Sequence, residues 1–90
     1  MANVAAMQKT IFSSANSALA DWLKTAREEQ GLTMRELAKK LDVAHSFVAR
    51  VEQQERRLDV VEFVEYCRQL KLDPMVGLQL VVDTTNKANK

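Results

Sequence analysis

The side chains best suited to hydrogen bonding with a ligand are concentrated between residues 45 and 57. Ser46 and Arg50 stand four residues apart, about one turn of a helix, and His45 flanks them. A hydroxyl, a guanidinium and an imidazole on one helix face can contact base edges in a DNA major groove. Arg56 and Arg57 follow closely and carry the positive charge that attracts phosphate groups. These residue types therefore favour recognition of a nucleic acid.

The sequence offers no comparable grouping for catalysis. His45 is the only histidine and Cys67 the only cysteine, which excludes an internal disulfide and a Cys/His zinc site. Cys67 lies in an apolar stripe, where a buried thiol packs as a small hydrophobic group. A glycine-rich phosphate loop is absent from a chain with only 2 glycines. We therefore expect no enzyme, no metal and no cofactor.

Composition limits the fold to one small α-helical domain. The 90 residues are 47% hydrophobic and 28% charged, with 2 glycines and 1 proline, too few for the turns of an all-β chain. No stretch is long and apolar enough for a signal peptide or a membrane span, so we expect a cytoplasmic protein. The 13 basic and 12 acidic side chains give a net charge of only +1. DNA binding must therefore depend on a local arrangement of charge.

The elements that must position the candidate residues are two short helices joined by a tight turn. Apolar spacing predicts a first helix from Ala18 that ends near Gly31. Thr33 and Glu36 form a capping box that starts the second helix at Met34. Only the three residues Asp42-Val43-Ala44 separate this helix from the next, which runs from about His45 to Gln53. This spacing is typical of a helix-turn-helix, with the small Ala38 where the two helices approach most closely.

Two further helices complete the predicted domain. Asp59 and Glu62 form a second capping box, and the inward stripe of the fourth helix is predicted to be Val60, Phe63, Val64, Cys67 and Leu70. Asp73-Pro74 starts the fifth helix, with Met75 and Leu78 predicted as core. The predicted organisation is an N-terminal arm, weakly helical or disordered, over residues 1–16, the DNA-binding domain over 17–83 and a flexible tail over 84–90.

The segment LTMRELAKKLDVAHSFVARVE, Leu32 to Glu52, resembles the helix-turn-helix of the lambda-repressor-like (Cro/phage repressor, XRE) transcription regulators. The resemblance extends over roughly Leu19 to Leu80. It implies a compact five-helix all-α domain whose third helix contacts DNA, and homodimers that bind palindromic double-stranded operators at the prokaryotic nucleoid. It also implies an ion pair between Arg27 and Glu52.

The same resemblance implies base contacts residue by residue, while phosphate contacts are expected from residues that lie near the third helix in the sequence. Base contacts are expected from His45, Ser46, Phe47 and Arg50, with Phe47 against a thymine methyl group. The residues expected to contact phosphates are Thr33, Arg35, Lys39, Gln53, Arg56 and Arg57. Lys40 lies next to Lys39 and is near enough in the sequence to add a further phosphate contact. Other roles remain open for some of these residues. Arg50 can contact a phosphate instead of a base, and His45 can cap the helix or touch a phosphate. Arg56 and Arg57 can be ordinary solvated surface charges.

Some positions depart from the family pattern. Met34 replaces a phosphate-contacting Gln, and Asp42 replaces the usual turn Gly, a change that a left-handed backbone tolerates better for Asp than for most residues. Gln54 and Leu58 stand where Gly and Pro are common, which predicts a different path for the loop after the third helix. The apolar surplus of the fifth helix predicts a dimer interface that includes Val76, Leu80 and Val81.

We therefore expect a sequence-specific repressor of a phage, plasmid or mobile-element operon. Three alternatives remain on the same fold. One is an autoregulatory antitoxin with a toxin as its protein partner, and another is a protein-interaction module that does not bind DNA, which Met34 and the balanced charge favour. The third is the helical domain of a multisubunit enzyme such as cyanase, although we expect no additional catalytic domain.

Overall fold

Five α-helices and no strand make up residues 13–88, the part of the chain that the computed structural model describes. The predicted all-α, five-helix class is therefore confirmed. The helices are α1 (Ser13–Glu29), α2 (Met34–Leu41), α3 (His45–Glu52), α4 (Val60–Gln69) and α5 (Pro74–Ala88).

The first and last helices are longer than the sequence pattern indicates. α1 begins at Ser13, inside the segment predicted as an arm, and α5 continues past Asp83 to Ala88, where a tail is predicted. Ala15 is buried at the start of α1 and lines a groove together with Val81 of α5. Packing between the two ends therefore stabilises turns that local propensity alone does not favour. The remainder of the predicted arm, residues 1–12, lies outside the described residues.

Both predicted capping boxes are confirmed. The Thr33 hydroxyl accepts from the Glu36 N–H at 3.1 Å, and Glu36 accepts from the Thr33 N–H at 2.8 Å. At the start of α4, Asp59 accepts from the Glu62 N–H at 2.7 Å, and Glu62 accepts from the Asp59 N–H at 2.9 Å. Each box satisfies backbone donors that the first turn of a helix leaves without partners.

The turns rely on left-handed residues. Asp42 ends α2 with φ 58°, so the aspartate at the usual glycine position does adopt the left-handed region. Gln54 has φ 64°, in the loop for which the sequence predicts an altered path. The Gln54 backbone thus adopts a left-handed conformation that glycine adopts without strain. The Cβ atom of glutamine makes this conformation less favourable for Gln54.

The core forms where α1 to α4 meet. Cys67 is fully buried, as predicted, and lies beside Tyr66, whose burial the apolar stripe did not predict. The buried cluster consists of Leu23, Ala26, Leu37, Ala38, Val48, Val51, Tyr66, Cys67 and Leu70.

The predicted inward stripe of α4 is wrong in part. Val60 is 78% exposed and Val64 is also exposed, whereas Tyr66 takes an inward position. The apolar residues of α4 occupy more than one face, so periodicity alone does not determine which face packs. Contacts with the other helices select the face that carries Phe63, Tyr66 and Cys67.

α5 packs through its glycine rather than through its large apolar residues. Met75 and Leu78, predicted as core, are 65% and 48% exposed, so that prediction is also wrong. Gly77 is buried instead, and a Cβ atom there would lie 2.5 Å from Cζ3 of Trp22 and 2.9 Å from Cζ of Phe63. The backbone of α5 therefore approaches both aromatic rings more closely than any side chain would permit.

Gly77→Ala should consequently destabilise the protein by about 1–3 kcal/mol, because the added methyl group overpacks the contact with Trp22 and Phe63. The same change at an exposed helix position stabilises by about 1 kcal/mol, so the expected sign is reversed here. Urea denaturation measures the difference. Lys24→Ala, at an exposed position of α1 with no ion pair within residues 13–88, is the control and should change stability by less than about 0.5 kcal/mol. A stabilised Gly77→Ala variant would contradict the close approach.

Candidate nucleic-acid interface

The turn between α2 and α3 fixes the angle between these two helices. Asp42 reverses the chain, and the Val43 N–H donates to the Ala38 carbonyl at 3.0 Å. The buried Val48 and Val51 hold the inner face of α3 against the core cluster. The eight residues of α3 are thereby held rigidly, with the opposite face directed outward.

His45, Ser46 and Arg50 lie together on that outward face, and all three are exposed. Within residues 13–88 none of these side chains forms an ion pair or a side-chain hydrogen bond. Their donors are therefore available to a ligand. Gln53, one turn beyond Ala49, is exposed next to them.

Phe47 differs from these three residues. It is half-buried and packs against the core cluster, and it also lines a small apolar cavity between α2, α3 and α4. The Arg56 guanidinium lies over its ring, with Cζ 4.3 Å from the centroid. The Phe47 ring therefore already contacts both the core cluster and the Arg56 guanidinium.

Four cations on α2 and in the loop after α3 have no acidic partner among the described residues. Each side chain is exposed and no carboxylate lies within ion-pair distance. These cations are Arg35, Lys39, Lys40 and Arg57. The Thr33 hydroxyl, another predicted phosphate contact, is exposed but already accepts the capping hydrogen bond.

Arg56 is bound differently from its neighbour Arg57. Its Nη1 and Nη2 atoms donate to the two oxygens of Glu62 at 2.9 and 2.7 Å. These hydrogen bonds raise the pKa of Arg56, and together with the Asp59 backbone N–H they lower the pKa of Glu62 to about 2. Glu62 therefore caps α4 and neutralises Arg56 at the same time.

Arg27 and Glu52 contact each other inside the molecule. Arg27 Nε donates to Glu52 Oε2 at 2.6 Å and Nη2 donates to Oε1 at 3.1 Å. Nη1 donates to the Leu32 carbonyl at 2.6 Å. The side chains are only 9% and 4% exposed, and the hydrogen bond to Glu52 raises the pKa of Arg27. One guanidinium thus joins α1, the loop before α2 and the last residue of α3.

Tyr66 is a buried polar residue beside this pair that lies outside the predicted inward stripe of α4. Burial raises the pKa of its hydroxyl, and the negative charge of Glu52 adds to this effect while Arg27 opposes it. The hydroxyl has no hydrogen-bond partner within the described part of the chain. Its spacing, three residues after Phe63 and four before Leu70, places it on the same helix face as both and was the available signal.

Comparisons with known proteins agree with this geometry. A family profile described as "Helix-turn-helix" matches residues 23–75. An XRE-family like protein from Pseudomonas syringae pv. tomato str. DC3000 is 42% identical, with 87% of this chain and 95% of that chain covered and a TM-score of 0.77. The chain belongs to the XRE family of helix-turn-helix proteins.

More distant solved structures share the fold. The clp gene regulator ClgR from C. glutamicum is 21% identical, covers 78% of this chain and 91% of its own, and has a TM-score of 0.68. The restriction-modification controller protein C.Esp1396I is 20% identical, with 81% of this chain and 95% of that chain covered and a TM-score of 0.67. Among curated proteins, none matches the sequence.

Membership of the XRE family identifies the protein as a DNA-binding transcription regulator, a class distinct from enzymes. The family resemblance drawn from Leu32 to Glu52 is therefore confirmed. No helix in residues 13–88 is both long and apolar enough to cross a membrane. The same residues contain no cluster of metal-ligating side chains.

Breaking the ion pair on either side should be costly. Glu52→Ala leaves the Arg27 charge buried without its partner and should lose about 3 kcal/mol of stability. Chemical denaturation of both single variants and of the Arg27→Ala/Glu52→Ala double variant gives the coupling energy, expected to exceed about 1 kcal/mol. Glu28, which is exposed and 4.0 Å from Arg27, supplies the control, since Glu28→Ala should cost less than about 1 kcal/mol. Additive single-variant effects would refute the pairing.

The Glu62 carboxyl should make folding sensitive to acid. Its pKa is about 2 in the folded protein and near 4.5 in an unfolded chain, so the unfolded state binds the proton first. Its contribution is therefore complete above about pH 4.5 and is lost as the pH falls toward 2. An NMR titration of the Glu62 carboxyl measures this directly. Arg56→Ala should raise the midpoint, and a wild-type midpoint near 4.5 would contradict the contact.

Proposed function

We propose that the protein binds a specific double-stranded operator by placing α3 in the major groove. The observation that carries the proposal is the exposed group of His45, Ser46 and Arg50 on a helix that the core holds rigidly. A recognition surface of this kind requires side chains whose donors are not already used and a backbone that keeps them in register.

Arg50 is proposed as the main base contact. Its exposed guanidinium has the longest reach on this face and can donate twice to O6 and N7 of guanine. His45 and Ser46 are proposed to contact neighbouring base edges. Phe47 is proposed to contact a thymine methyl group with the part of its half-buried ring that Arg56 does not cover.

Phosphate contacts are proposed for the residues that surround α3. The cations Arg35, Lys39 and Arg57 have no acidic partner in the structure described, so no internal ion pair must be broken before they bind phosphate. Thr33 and Gln53 can add neutral hydrogen bonds from the two ends of the helix-turn-helix. Together these residues supply the local positive charge that the net charge of +1 conceals.

The protein is further proposed to act as a homodimer. Seven large apolar side chains on α4 and α5 are exposed, an unusual concentration for a small monomer. Of the residues predicted for the interface, Val76 is exposed, while Leu80 and Val81 are half-buried. A twofold axis at this surface implies a palindromic operator with half-sites about 34 Å apart. Following the resemblance to phage repressors, we propose repression of a phage, plasmid or mobile-element operon.

Selection of bound duplexes from a random pool tests the proposal, and Arg50→Lys then tests the main contact. Lysine keeps the positive charge but lacks the planar fork, so preference at one position of each half-site should fall by about 1–3 kcal/mol. Non-specific affinity should be retained. Fluorescence anisotropy with the selected duplex and with single-base variants measures both quantities. If Arg50→Lys weakens every duplex equally, Arg50 contacts a phosphate instead.

Light scattering at tens of micromolar should give the mass of two chains. Val76→Asp introduces a charge at an exposed apolar position of α5, and we expect this variant to be monomeric because a buried unpaired carboxylate opposes association. Thr25→Asp on the exposed side of α1 is the matched control and should remain dimeric. A wild-type mass of one chain would refute the dimer.

A further inference from the structure

Two adjacent arginines follow α3, and the structure treats them differently. Arg57 is exposed and has no ion-pair partner within residues 13–88. Arg56 uses both terminal nitrogens on Glu62, and Nη1 also donates to the Arg57 carbonyl at 3.0 Å. One face of its guanidinium is covered by Phe47. The side chain is 37% exposed, but both of its terminal nitrogens already donate hydrogen bonds within the protein, so a phosphate would have to compete with Glu62 for them.

The contacts of Arg56 join three separate elements. Phe47 belongs to the flank of α3, Glu62 caps the first turn of α4, and Arg56 itself lies in the loop between them. A bidentate arginine–carboxylate pair fixes direction as well as distance, because both planar groups must align. A cation held over an aromatic ring adds a contact that depends on orientation. Arg56 thus connects the exposed helix to α4.

The loop that carries Arg56 also supports Arg50. The backbone N–H groups of Glu55 and Arg56 both donate to the Arg50 carbonyl, at 2.8 and 3.2 Å. The end of α3 that bears the proposed main base contact is therefore completed by the same loop. Movement of this loop would alter the direction of Arg50 as well as the position of Phe47.

We infer that Arg56 is a positioning residue for DNA recognition, which fixes α3 against α4 through Phe47 and Glu62 rather than contacting a phosphate. This inference rests on the proposed function of α3. It separates Arg56 from Arg57, which the sequence presents as an equivalent pair. It also gives Glu62 a role in recognition, although this carboxylate lies on α4 and has the wrong charge to approach DNA.

The first experiment needs no DNA. The ring current of Phe47 should move the NMR resonances of the Arg56 side chain upfield, and Phe47→Leu should return them to ordinary values. Glu62→Gln preserves a capping side chain at the same position but removes the charge, so it should also shift the Arg56 Nε–H resonance. Unperturbed Arg56 resonances in the wild-type protein would overturn the inference.

The second experiment compares Arg56→Ala, Arg56→Lys and Arg57→Ala on the selected duplex and on a scrambled duplex at several salt concentrations. Arg56→Ala should lower affinity for the selected duplex roughly tenfold, with a smaller loss on the scrambled one and an unchanged salt slope. Arg56→Lys should fail to restore the preference, because lysine cannot form the bidentate pair. Arg57→Ala should weaken both duplexes equally and reduce the slope by about 1 per chain.

The outcomes separate the possibilities. If Arg56→Ala lowers the salt slope as Arg57→Ala does, and Arg56→Lys restores binding, Arg56 is a phosphate contact and the inference is wrong. Thermal melts of each variant in the binding buffer establish that the folded protein is being compared. A wild-type protein that prefers no duplex would refute the proposed function itself, while the NMR experiment would still report whether the Arg56 contacts exist.

Discussion

The ion pair between Arg27 and Glu52 is the contact on which the position of α3 depends. Glu52 is the last residue of that helix, and its carboxylate is almost fully buried, where an unpaired charge would be very unfavourable. Arg27 offsets this cost with two hydrogen bonds and uses a third donor on the Leu32 carbonyl. The left-handed Gly31 immediately before Leu32 turns the chain at this point. The inner end of α3 is thereby fixed to α1 and to the loop before α2.

A second set of contacts holds the outer flank of the same helix. Phe47 lies under Arg56, and Arg56 is bound to Glu62 at the start of α4. The first ion pair is buried and resists salt, whereas the second is partly exposed and is screened more strongly. α3 is therefore fixed at its last residue by a buried ion pair and at its flank by a partly exposed one.

Features encoded over a few residues were predictable from the sequence, and those that depend on distant packing were not. The Thr33 and Asp59 capping boxes need only a side chain and the residue three positions later. The exposure of Val60 and the burial of Tyr66 depend on which face of α4 meets the other helices, and both faces are apolar. The pairing of Arg56 with Glu62 depends on the path of the loop between α3 and α4, where Gln54 adopts a left-handed conformation, and this path is not encoded in the local pattern.

The distribution of carboxylates explains how a nearly neutral protein can present a positive surface. Two carboxylates near the helix-turn-helix, Glu52 and Glu62, are paired with arginines, whereas Asp42 and Glu55 are exposed and form no ion pair within residues 13–88. The cations there that are exposed and have no acidic partner in the described structure are more numerous, namely Arg35, Lys39, Lys40, Arg50 and Arg57. Charges that are paired at short range cancel at the distance of an approaching phosphate, whereas unpaired cations do not. The potential near α3 is therefore set by which charges are paired rather than by the net charge of the chain.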